Sequence, residues 1–302
     1  MSRFFKIKEG YVMRVSDHKV LFIGIMILSF IISIGALAVR GVNYGIDFKG
    51  GLSVEAQVPD NTNLEDMRSK LNDAHIGAFS LQEFGNKNTV LIKMELKGND
   101  KEGSEIVNKM KIALGNDIVY RNIENVGPKV GNDLKNDSIL AVIFALIAIL
   151  IYIWFRFDWQ FGVCGVIALI HDCVALMGFY AIFHNFDFNI ASVCAILMTA
   201  GYSINDTVVI FDRINENIRA GKGRILSNLI DVSITETLTR TVLTSFTTLL
   251  ALACLCIFGR DVIFAYAFPM FIGISVGTFS SIFISAPLLM YTNYKIPTKQ
   301  EI

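Results

Sequence analysis

The chain has 302 residues, of which 53% are hydrophobic and 18% charged, and its 27 Lys and Arg balance 27 Asp and Glu. Soluble domains carry about 25% charged residues, so this composition, together with long apolar runs, excludes a water-soluble enzyme. Zero net charge provides no basic surface of the kind that binds nucleic acid, and we expect no nucleic-acid partner.

Six apolar runs are each about long enough to cross a bilayer, which takes about 20 helical residues. They lie at residues 20–39, 139–155, 161–183, 190–211, 241–258 and 262–290. The sequence therefore predicts a polytopic α-helical membrane protein with six transmembrane helices and a soluble domain between helices 1 and 2.

The first apolar run, residues 20–39, allows two interpretations. The triplet Ala36-Leu37-Ala38 after a basic head is typical of a cleaved signal peptide. The apolar core of a signal peptide is only 7–15 residues long, however, and this run exceeds that length. We therefore favour an uncleaved first transmembrane helix.

Residues 40–138 show alternating strand and helix patterns. Apolar residues recur with period 2 at 52–58, which predicts a strand, and a helical spacing follows at 64–74. Further strands are predicted at 79–84, 90–96 and 117–125, with a second helix before the last. The order β-α-β-β-α-β is that of a ferredoxin-like α+β domain, whose default role is binding or docking. We expect Thr62 and Ser104 to cap the two helices.

The orientation follows from Lys and Arg, which concentrate in cytoplasmic segments of membrane proteins. A cytoplasmic N-terminus places most such residues inside, namely Arg3, Lys6, Lys8, Arg14, Lys19, Arg156, Arg213, Arg219, Lys222, Arg224, Lys295 and Lys299. The short outer loops near 184–189 and 259–261 then carry only Arg260. Both termini are therefore expected in the cytoplasm, with the protein in the plasma membrane.

This orientation divides the chain into five parts. They are a cytoplasmic N-terminus (1–19), transmembrane helix 1 (20–39), a periplasmic domain (40–138), transmembrane helices 2–6 (139–291) with a cytoplasmic loop at 212–237, and a cytoplasmic C-terminus (292–302). The loop has basic residues followed by apolar ones at helical spacing from residue 225 onward. We interpret it as an amphipathic helix at the inner surface, and a solvated basic linker is the alternative.

Motifs for catalysis or for cofactors are missing from the sequence. No phosphate-binding loop, HExxH or CxxC pattern occurs, so we expect no catalytic residue, no metal and no cofactor. Any energy from ATP would have to come from a partner. All five cysteines lie in predicted spans and are interpreted as small packing residues, namely Cys164, Cys173, Cys194, Cys254 and Cys256.

Three ionisable residues inside predicted spans are functional candidates, because a charge at bilayer depth costs several kcal/mol. Asp206 lies in the fourth span, Arg240 in the fifth, and Asp172 near the middle of the third. At 1.5 Å per residue, Asp206 and Arg240 lie at a similar depth in the cytoplasmic third, where they could meet. His171 next to Asp172 is either a relay partner or, as we favour, a structural hydrogen-bond partner.

A carboxyl and a guanidinium at one depth suit proton coupling. Burial favours the protonated carboxyl, whereas a nearby guanidinium favours the ionised form. A movement of Arg240 could therefore make Asp206 hold or release a proton. The alternative for Arg240 is snorkelling to the interface, and the alternative for the small and hydroxylated residues around both charges is helix packing.

Four stretches resemble one family. They are GIDFKGG at 45–51, VGPKVGNDL at 126–134, GYSINDTVVIFDR at 201–213 and LTRTVLTS at 238–245. Together they resemble the SecF family, the smaller membrane subunits of the bacterial SecDF protein-export complex, which is related to the proton-driven RND transporters. The resemblance covers essentially the whole chain.

The resemblance implies partners and a mechanism. SecD, the SecYEG channel and often YajC would be the partners, with SecA pushing preproteins by ATP hydrolysis. SecDF would then use the proton-motive force, with protons as coupling ions, to assist export of unfolded preproteins at the outer face. Asp206 and Arg240 would carry the coupling, with Asp172 in a weaker role. The remaining family-motif residues are Gly45, Asp47, Phe48, Gly50, Gly51, Gly201, Ser203, Asn205, Thr207, Asp212 and Arg213.

Two other functions compete with this interpretation. An RND-type proton/small-solute antiporter subunit would need a solute pocket, and the small single outer domain argues against it. A scaffold protein would tolerate neutralised membrane charges, and the shared depth of Asp206 and Arg240 argues weakly against that.

Overall fold

The computed structural model describes residues 12–59, 62–83, 88–96, 100–115, 118–222, 225–259, 261–292, 294 and 296. Seven of the basic residues on which the predicted orientation rests lie outside these described residues, namely Arg3, Lys6, Lys8, Arg224, Arg260, Lys295 and Lys299.

The elements follow each other as a long helix, a small mixed unit and five further long helices. The first part comprises α1 (Lys19–Arg40), α2 (Ile46–Lys49), β1 (Gly51–Gln57), α3 (Leu64–Asp73), β2 (Phe79–Glu83), β3 (Thr89–Met94), α4 (Asp100–Leu114) and β4 (Val119–Val126). The second part comprises α5 (Pro128–Arg156), α6 (Trp159–Ile182), α7 (Ile190–Arg219), α8 (Leu226–Phe258) and α9 (Asp261–Ser280). Helix α9 continues through a π-helical segment (Ser281–Ser285) into α10 (Ala286–Leu288).

The long helices form a bundle in which three helices are central and three flank them. Of the apolar windows, 50% is buried in α6, α7 and the helix that continues from α9, against 6% in α1 and α5 and 11% in α8. All six helices of the described chain are long and apolar enough to cross a membrane. The predicted polytopic α-helical membrane protein with six spans is therefore confirmed.

The sheet domain, residues 51–126, lies between α1 and α5, so one end of the bundle carries it. We call this end the sheet end and the opposite end the far end. The four strands of the sheet domain pair in the order β2-β3-β1-β4, and every neighbouring pair is antiparallel. This order is consistent with the predicted ferredoxin-like arrangement. Strand β1 supplies the centre of the core with Leu52, Val54 and Ala56, on which Leu71 of α3 and Met110 of α4 pack.

Small residues let the central helices approach each other closely, as is common for helices in membranes. A Cβ atom built on Gly178 of α6 would lie 2.4 Å from the Cβ atom of Ser33 on α1. Gly273 and Gly277 of α9 face Thr199 and Ser203 of α7 in the same way. The GxxxG spacing in the last span therefore marks the contact between α7 and α9.

A short N-terminal strap, residues 13–18, lies against the beginning of α8 at the far end. The backbone N–H of Ser16 donates to Asp231 Oδ1 at 2.9 Å, and its hydroxyl donates to Asp231 Oδ2 at 2.5 Å. The N–H of Met13 donates to Thr235 Oγ1 at 2.9 Å. Asp231 is only 4% exposed, so the strap supplies hydrogen-bond donors that a buried carboxylate requires.

The predicted helix caps differ from those in the structure. Helix α3 is capped by Asn63, whose side chain accepts from the N–H of Glu65, and not by Thr62. Both residue types are good caps, so their preferences alone do not decide between neighbours. Helix α4 already begins at Asp100, which places Ser104 inside it rather than at its cap.

The segment 212–237 was expected as a loop with a separate amphipathic helix, and the structure differs. Helix α7 continues to Arg219 and α8 begins at Leu226, so the predicted surface helix forms the first turns of α8. The cysteines are all free, as expected, but only Cys164 is fully buried, while Cys194 and Cys254 lie on the outer surface of the bundle.

We expect Gly178→Ala to lower the thermal unfolding midpoint of the purified protein, because the added methyl group would push α1 away from α6. Overpacking of this kind costs about 1–3 kcal/mol. Gly35→Ala on α1 is the matched control, since a Cβ atom there meets nothing within 4 Å. Equal midpoints for the two variants would contradict the close contact.

Candidate functional site

Asp172 is fully buried in α6 and is held by hydrogen bonds from two other helices. Ser203 of α7 and Ser280 of α9 donate their hydroxyl hydrogens to Oδ2 at 2.5 and 2.6 Å. His171 Nδ1 lies 3.0 Å from the other oxygen, Oδ1. A buried carboxyl group is tolerated only when its oxygens find such partners.

His171 extends this cluster to the first helix. Its Nε2 lies 2.7 Å from the hydroxyl of Ser29 on α1, whose oxygen also lies 2.9 Å from the carbonyl oxygen of Met26. Ser29 has one hydroxyl hydrogen and two acceptors within reach, so it can donate to a neutral ring or accept from a protonated one. The two protonation states therefore need no movement of heavy atoms, which leaves both the relay and the structural interpretations of His171 open.

Asp206 lies on α7, only 4% exposed, with hydroxyl groups as its hydrogen-bond partners. Ser245 of α8 donates to Oδ2 at 3.1 Å, and Thr278 of α9 in turn donates to the Ser245 hydroxyl at 2.9 Å. Asp206 therefore joins the three helices α7, α8 and α9, and no cation lies within ion-pair distance of it among the described residues.

Arg240 and Asp206 do not meet in the structure, although their depths match. No hydrogen bond or ion pair joins them within the described part of the chain. Arg240 is exposed and lines a cavity of about 760 Å³ at the far end of α7 and α8. Asn205 and Asp212 also line this cavity, which approaches Asp206 from the far end.

Glu236, one turn before Arg240 on α8, ties the far ends of α7 and α8 together. It accepts hydrogen bonds from Arg213 Nε at 2.7 Å, from Asn217 Nδ2 at 2.9 Å and from Lys222 Nζ at 2.9 Å. The sequence patterns did not identify Glu236 as a site residue. Its position four residues before Arg240 places both side chains on one helix face, and this spacing could have indicated it.

The π-helical segment after α9 was also missed. Ser280 binds Asp172, while the next residue, Ser281, donates to the backbone oxygen of Ser203 at 2.8 Å and accepts from Thr207 at 3.0 Å. A π-helical turn changes the direction of successive side chains and is frequent at functional sites. Two adjacent serines can thus serve two different buried positions on α6 and α7.

The glycine-rich motif lies at the sheet end, far from the buried carboxyl groups. Gly45 N–H donates to the carbonyl of Phe188 at 2.8 Å, and Asp47 Oδ2 accepts from the N–H of Ile190 at 3.1 Å. Phe48 is buried and packs with its ring centroid 5.8 Å from that of Phe188. A carboxylate at a helix N-terminus is favourable, so Asp47 helps to hold the beginning of α7.

The two following glycines permit a close crossing of the chain. Gly50 has φ +76°, a conformation that favours glycine, and a Cβ atom there would lie 2.7 Å from Cα of Pro128 at the beginning of α5. A Cβ atom on Gly51 would lie 2.4 Å from the carbonyl oxygen of Met94 on β3. This part of the motif fixes the sheet domain to α5.

The other motif residues have separate positions. Gly201 of α7 has open space beside it, and Asp212 forms an ion pair with Arg156 at the end of α5. Among the described residues, no group of three or more His, Cys, Asp or Glu side chains is arranged to hold a metal ion.

These features define a class of protein: a multi-pass helical membrane protein that buries two carboxyl groups among serine and threonine hydroxyls. Residues 106–295 match the family model "Protein export membrane protein SecD/SecF, C-terminal", and residues 35–58 match "SecD/SecF GG Motif". The chain therefore belongs to the SecF branch of this family, as its relatives show.

The relatives cover nearly the whole chain. The protein translocase subunit SecF of Desulfurispirillum indicum is 38% identical over 287 residues, which are 92% of this chain and 90% of that protein. SecF of Rickettsia bellii is 42% identical over 258 residues, 84% of each chain. The crystal structure of SecDF, a translocon-associated membrane protein from Thermus, matches with a TM-score of 0.83 and 30% identity over 95% of this chain. This chain spans 39% of that longer one.

We expect Ser280→Ala to destabilise the protein by about 1–3 kcal/mol, the usual cost of leaving a buried acceptor without its donor. Thermal unfolding in detergent measures the loss. Ser285→Ala is the matched control, because Ser285 lies in the π-helical segment that directly follows Ser280, is equally buried, and donates only to the backbone oxygen of Ser281. An equal loss in both variants would show that the contact with Asp172 contributes nothing specific.

Proposed function

We propose that this chain is the SecF-type subunit of a SecDF complex that uses the proton-motive force to assist protein export. It works with SecD beside the SecYEG channel, with YajC as a further partner, after SecA has pushed the preprotein by ATP hydrolysis. It lies in the plasma membrane with both termini in the cytoplasm and the sheet domain in the periplasm. It needs no cofactor and catalyses no covalent reaction, since protons are the coupling ion.

One observation carries the coupling proposal. Asp206 is almost fully buried at the junction of three spans and has only uncharged hydrogen-bond partners, while Arg240 lies nearby and unpaired with it. Such a carboxyl group can hold a proton while Arg240 is distant and lose it when the guanidinium approaches. One proton crossing the membrane yields about 2.3 kcal/mol per 100 mV, which is enough to shift a balance between two helix arrangements.

The far-end cavity gives this proposal a route for protons. Arg240 and Asn205 line it, and Asn205 immediately precedes Asp206 in the chain. With the far end in the cytoplasm, a proton released from Asp206 reaches water through this cavity. Asp172 acts in a supporting role, because Ser203 on α7 and Ser280 on α9 both bind it and so couple its protonation to the positions of those helices.

The deciding variant is Asp206→Asn, which keeps the size and hydrogen-bonding capacity of the side chain but cannot ionise. We expect it to fold and to bind SecD normally, and to reduce export driven by the proton-motive force to the level of vesicles without the complex. The measurement is preprotein translocation into vesicles with and without an imposed proton gradient. Copurification with SecD checks the assembly.

Asp137→Asn is the control for this experiment. Asp137 is an exposed carboxylate near the sheet end of α5 and takes no part in the contacts around Asp206. It should stimulate export as the unaltered protein does. Full proton-dependent stimulation by Asp206→Asn would refute the coupling role.

The orientation has its own test, using the sheet domain. Ile112 on α4 is 84% exposed, so Ile112→Cys in a chain without its five native cysteines provides one reactive thiol. We expect a membrane-impermeant maleimide to label it in intact spheroplasts. Labelling only after the membrane is permeabilised would reverse the proposed topology.

A further inference from the structure

We propose that Asp187 is the positioning residue that transmits movements of α7 to the sheet domain. It lies in the short connection between α6 and α7, and no motif of the sequence pointed to it. The proposal rests on the proposed function, because it names the route by which a change at Asp206 reaches the opposite side of the membrane.

The carboxylate of Asp187 contacts two other parts of the chain at once. Asn43, in the linker after α1, donates to Oδ1 at 2.8 Å. Lys93 of β3 forms an ion pair with Oδ2. Lys93 pairs with Ser53 of β1 and with Ser80 of β2, so it belongs to the inner part of the sheet rather than to an edge. A force on Asp187 therefore reaches the sheet directly.

The backbone around Asp187 is fixed to the beginning of α7. Ser192 in the first turn of α7 donates its hydroxyl to the carbonyl oxygen of Asp187 at 3.2 Å. Asn189 and Ser192 form a reciprocal capping box, which satisfies the first N–H groups of the helix. Asp187 must consequently follow any shift or rotation of the N-terminal turn of α7.

The same connection is paired with the linker that leads into the sheet domain. Phe188 N–H donates to the carbonyl oxygen of Asn43 at 2.7 Å, and Gly45 N–H donates to the carbonyl oxygen of Phe188 at 2.8 Å. The side chain of Asp187 and the backbone of Phe188 thus both form hydrogen bonds to the same linker. This pairing leaves little freedom for the linker to absorb a movement.

Asp206 lies on the same helix as this contact. Residues 190 and 206 are separated by about 24 Å along a straight α-helix, at 1.5 Å per residue. Helix α7 runs from Ile190 to Arg219 without proline or an irregular turn. It can therefore act as a rigid lever between the buried carboxyl group and the contact at Asp187.

Another ion pair at this boundary shows why Asp187 is the better candidate. Lys49 of α2 and Glu95 after β3 are 3.5 Å apart, but their side chains are 42% and 62% exposed, and exposed pairs contribute little. The side chains of Lys93 and Asp187 are only 28% and 22% exposed. The second pair is more shielded from water and so holds a more defined geometry.

A cavity of about 670 Å³ lies beside the contact, lined by residues of the linker and of the sheet domain. Asp187 and Lys93 both border it. The sheet domain is therefore not packed solidly against the bundle at this point. On this side the polar contacts around Asp187 hold the sheet domain, in addition to its attachment to α5 at Gly50, and the cavity provides space in which it can tilt.

The test measures the distance between the sheet domain and the bundle in the complex with SecD. Spin labels are attached to Ile112→Cys on α4 and Val39→Cys on α1, which are 84% and 85% exposed, in a chain without native cysteines. The distance distribution is recorded with and without Asp206→Asn. We expect Asp206→Asn to shift the distribution while the Asp187–Lys93 pair is intact.

Breaking and reversing the pair decides the proposal. Asp187→Asn and Lys93→Asp should each abolish the shift caused by Asp206→Asn, and the double variant Asp187→Lys with Lys93→Asp should restore it. Glu95→Gln is the control and should leave the shift unchanged. In a chain with Asp206 unaltered, Asp187→Asn and Lys93→Asp should also lower export stimulation. The double variant should restore it, and Glu95→Gln should leave it unchanged.

Three results would contradict the proposal. If the shift persists in Asp187→Asn and in Lys93→Asp, the movement reaches the sheet domain by another route, and the proposed function stands without this contact. If Asp206→Asn causes no shift even with the pair intact, there is no movement of the sheet domain to transmit and this inference fails, whereas the proposed function is decided separately by the export assay. Loss of the shift in Glu95→Gln as well would mean that any charge change at the boundary suffices.

Discussion

The burial of carboxyl groups in an apolar bundle is the constraint on which the rest of this structure depends. An unpartnered polar group costs several kcal/mol in a medium without water, so each buried oxygen needs a donor from a neighbouring helix. Serine hydroxyls supply such donors to Asp172 and Asp206 without adding charge. Glycine helps to bring one of these short side chains close, because Gly277 of α9 faces Ser203 of α7.

The two ends of the bundle meet this constraint differently. At the far end, charged groups pair with each other around Glu236 beside a wide cavity, where water can solvate them. In the middle, only hydroxyls and one histidine reach the carboxyl groups. At the sheet end, aromatic rings and backbone pairing enclose the motif around Phe48. A change of protonation therefore acts most strongly in the middle, where water screens least.

Sequence patterns predicted the spans, the order of elements in the sheet domain and the buried positions of Asp172 and Asp206, because hydrophobic periodicity and isolated charges are local signals. The partners of those residues were not predictable in the same way. Ser280, the last residue of α9, reaches Asp172 across a helix contact, and Asp187 forms an ion pair with a strand residue that lies 94 residues away in the chain. Both contacts depend on how helices pack, which a single sequence does not encode in any short pattern.

The N-terminal strap affects how far helix α8 can move relative to the rest of the bundle. Helix α8 carries Arg240 and buries little of its apolar stretch, and Ser16 holds its first turns through Asp231. The residues just before α1 thus connect the first and fifth spans at the far end. A tag or fusion joined close to residue 13 would strain the contact between the strap and α8. One attached after the last helix would leave this contact, and the movement of α8, unaffected.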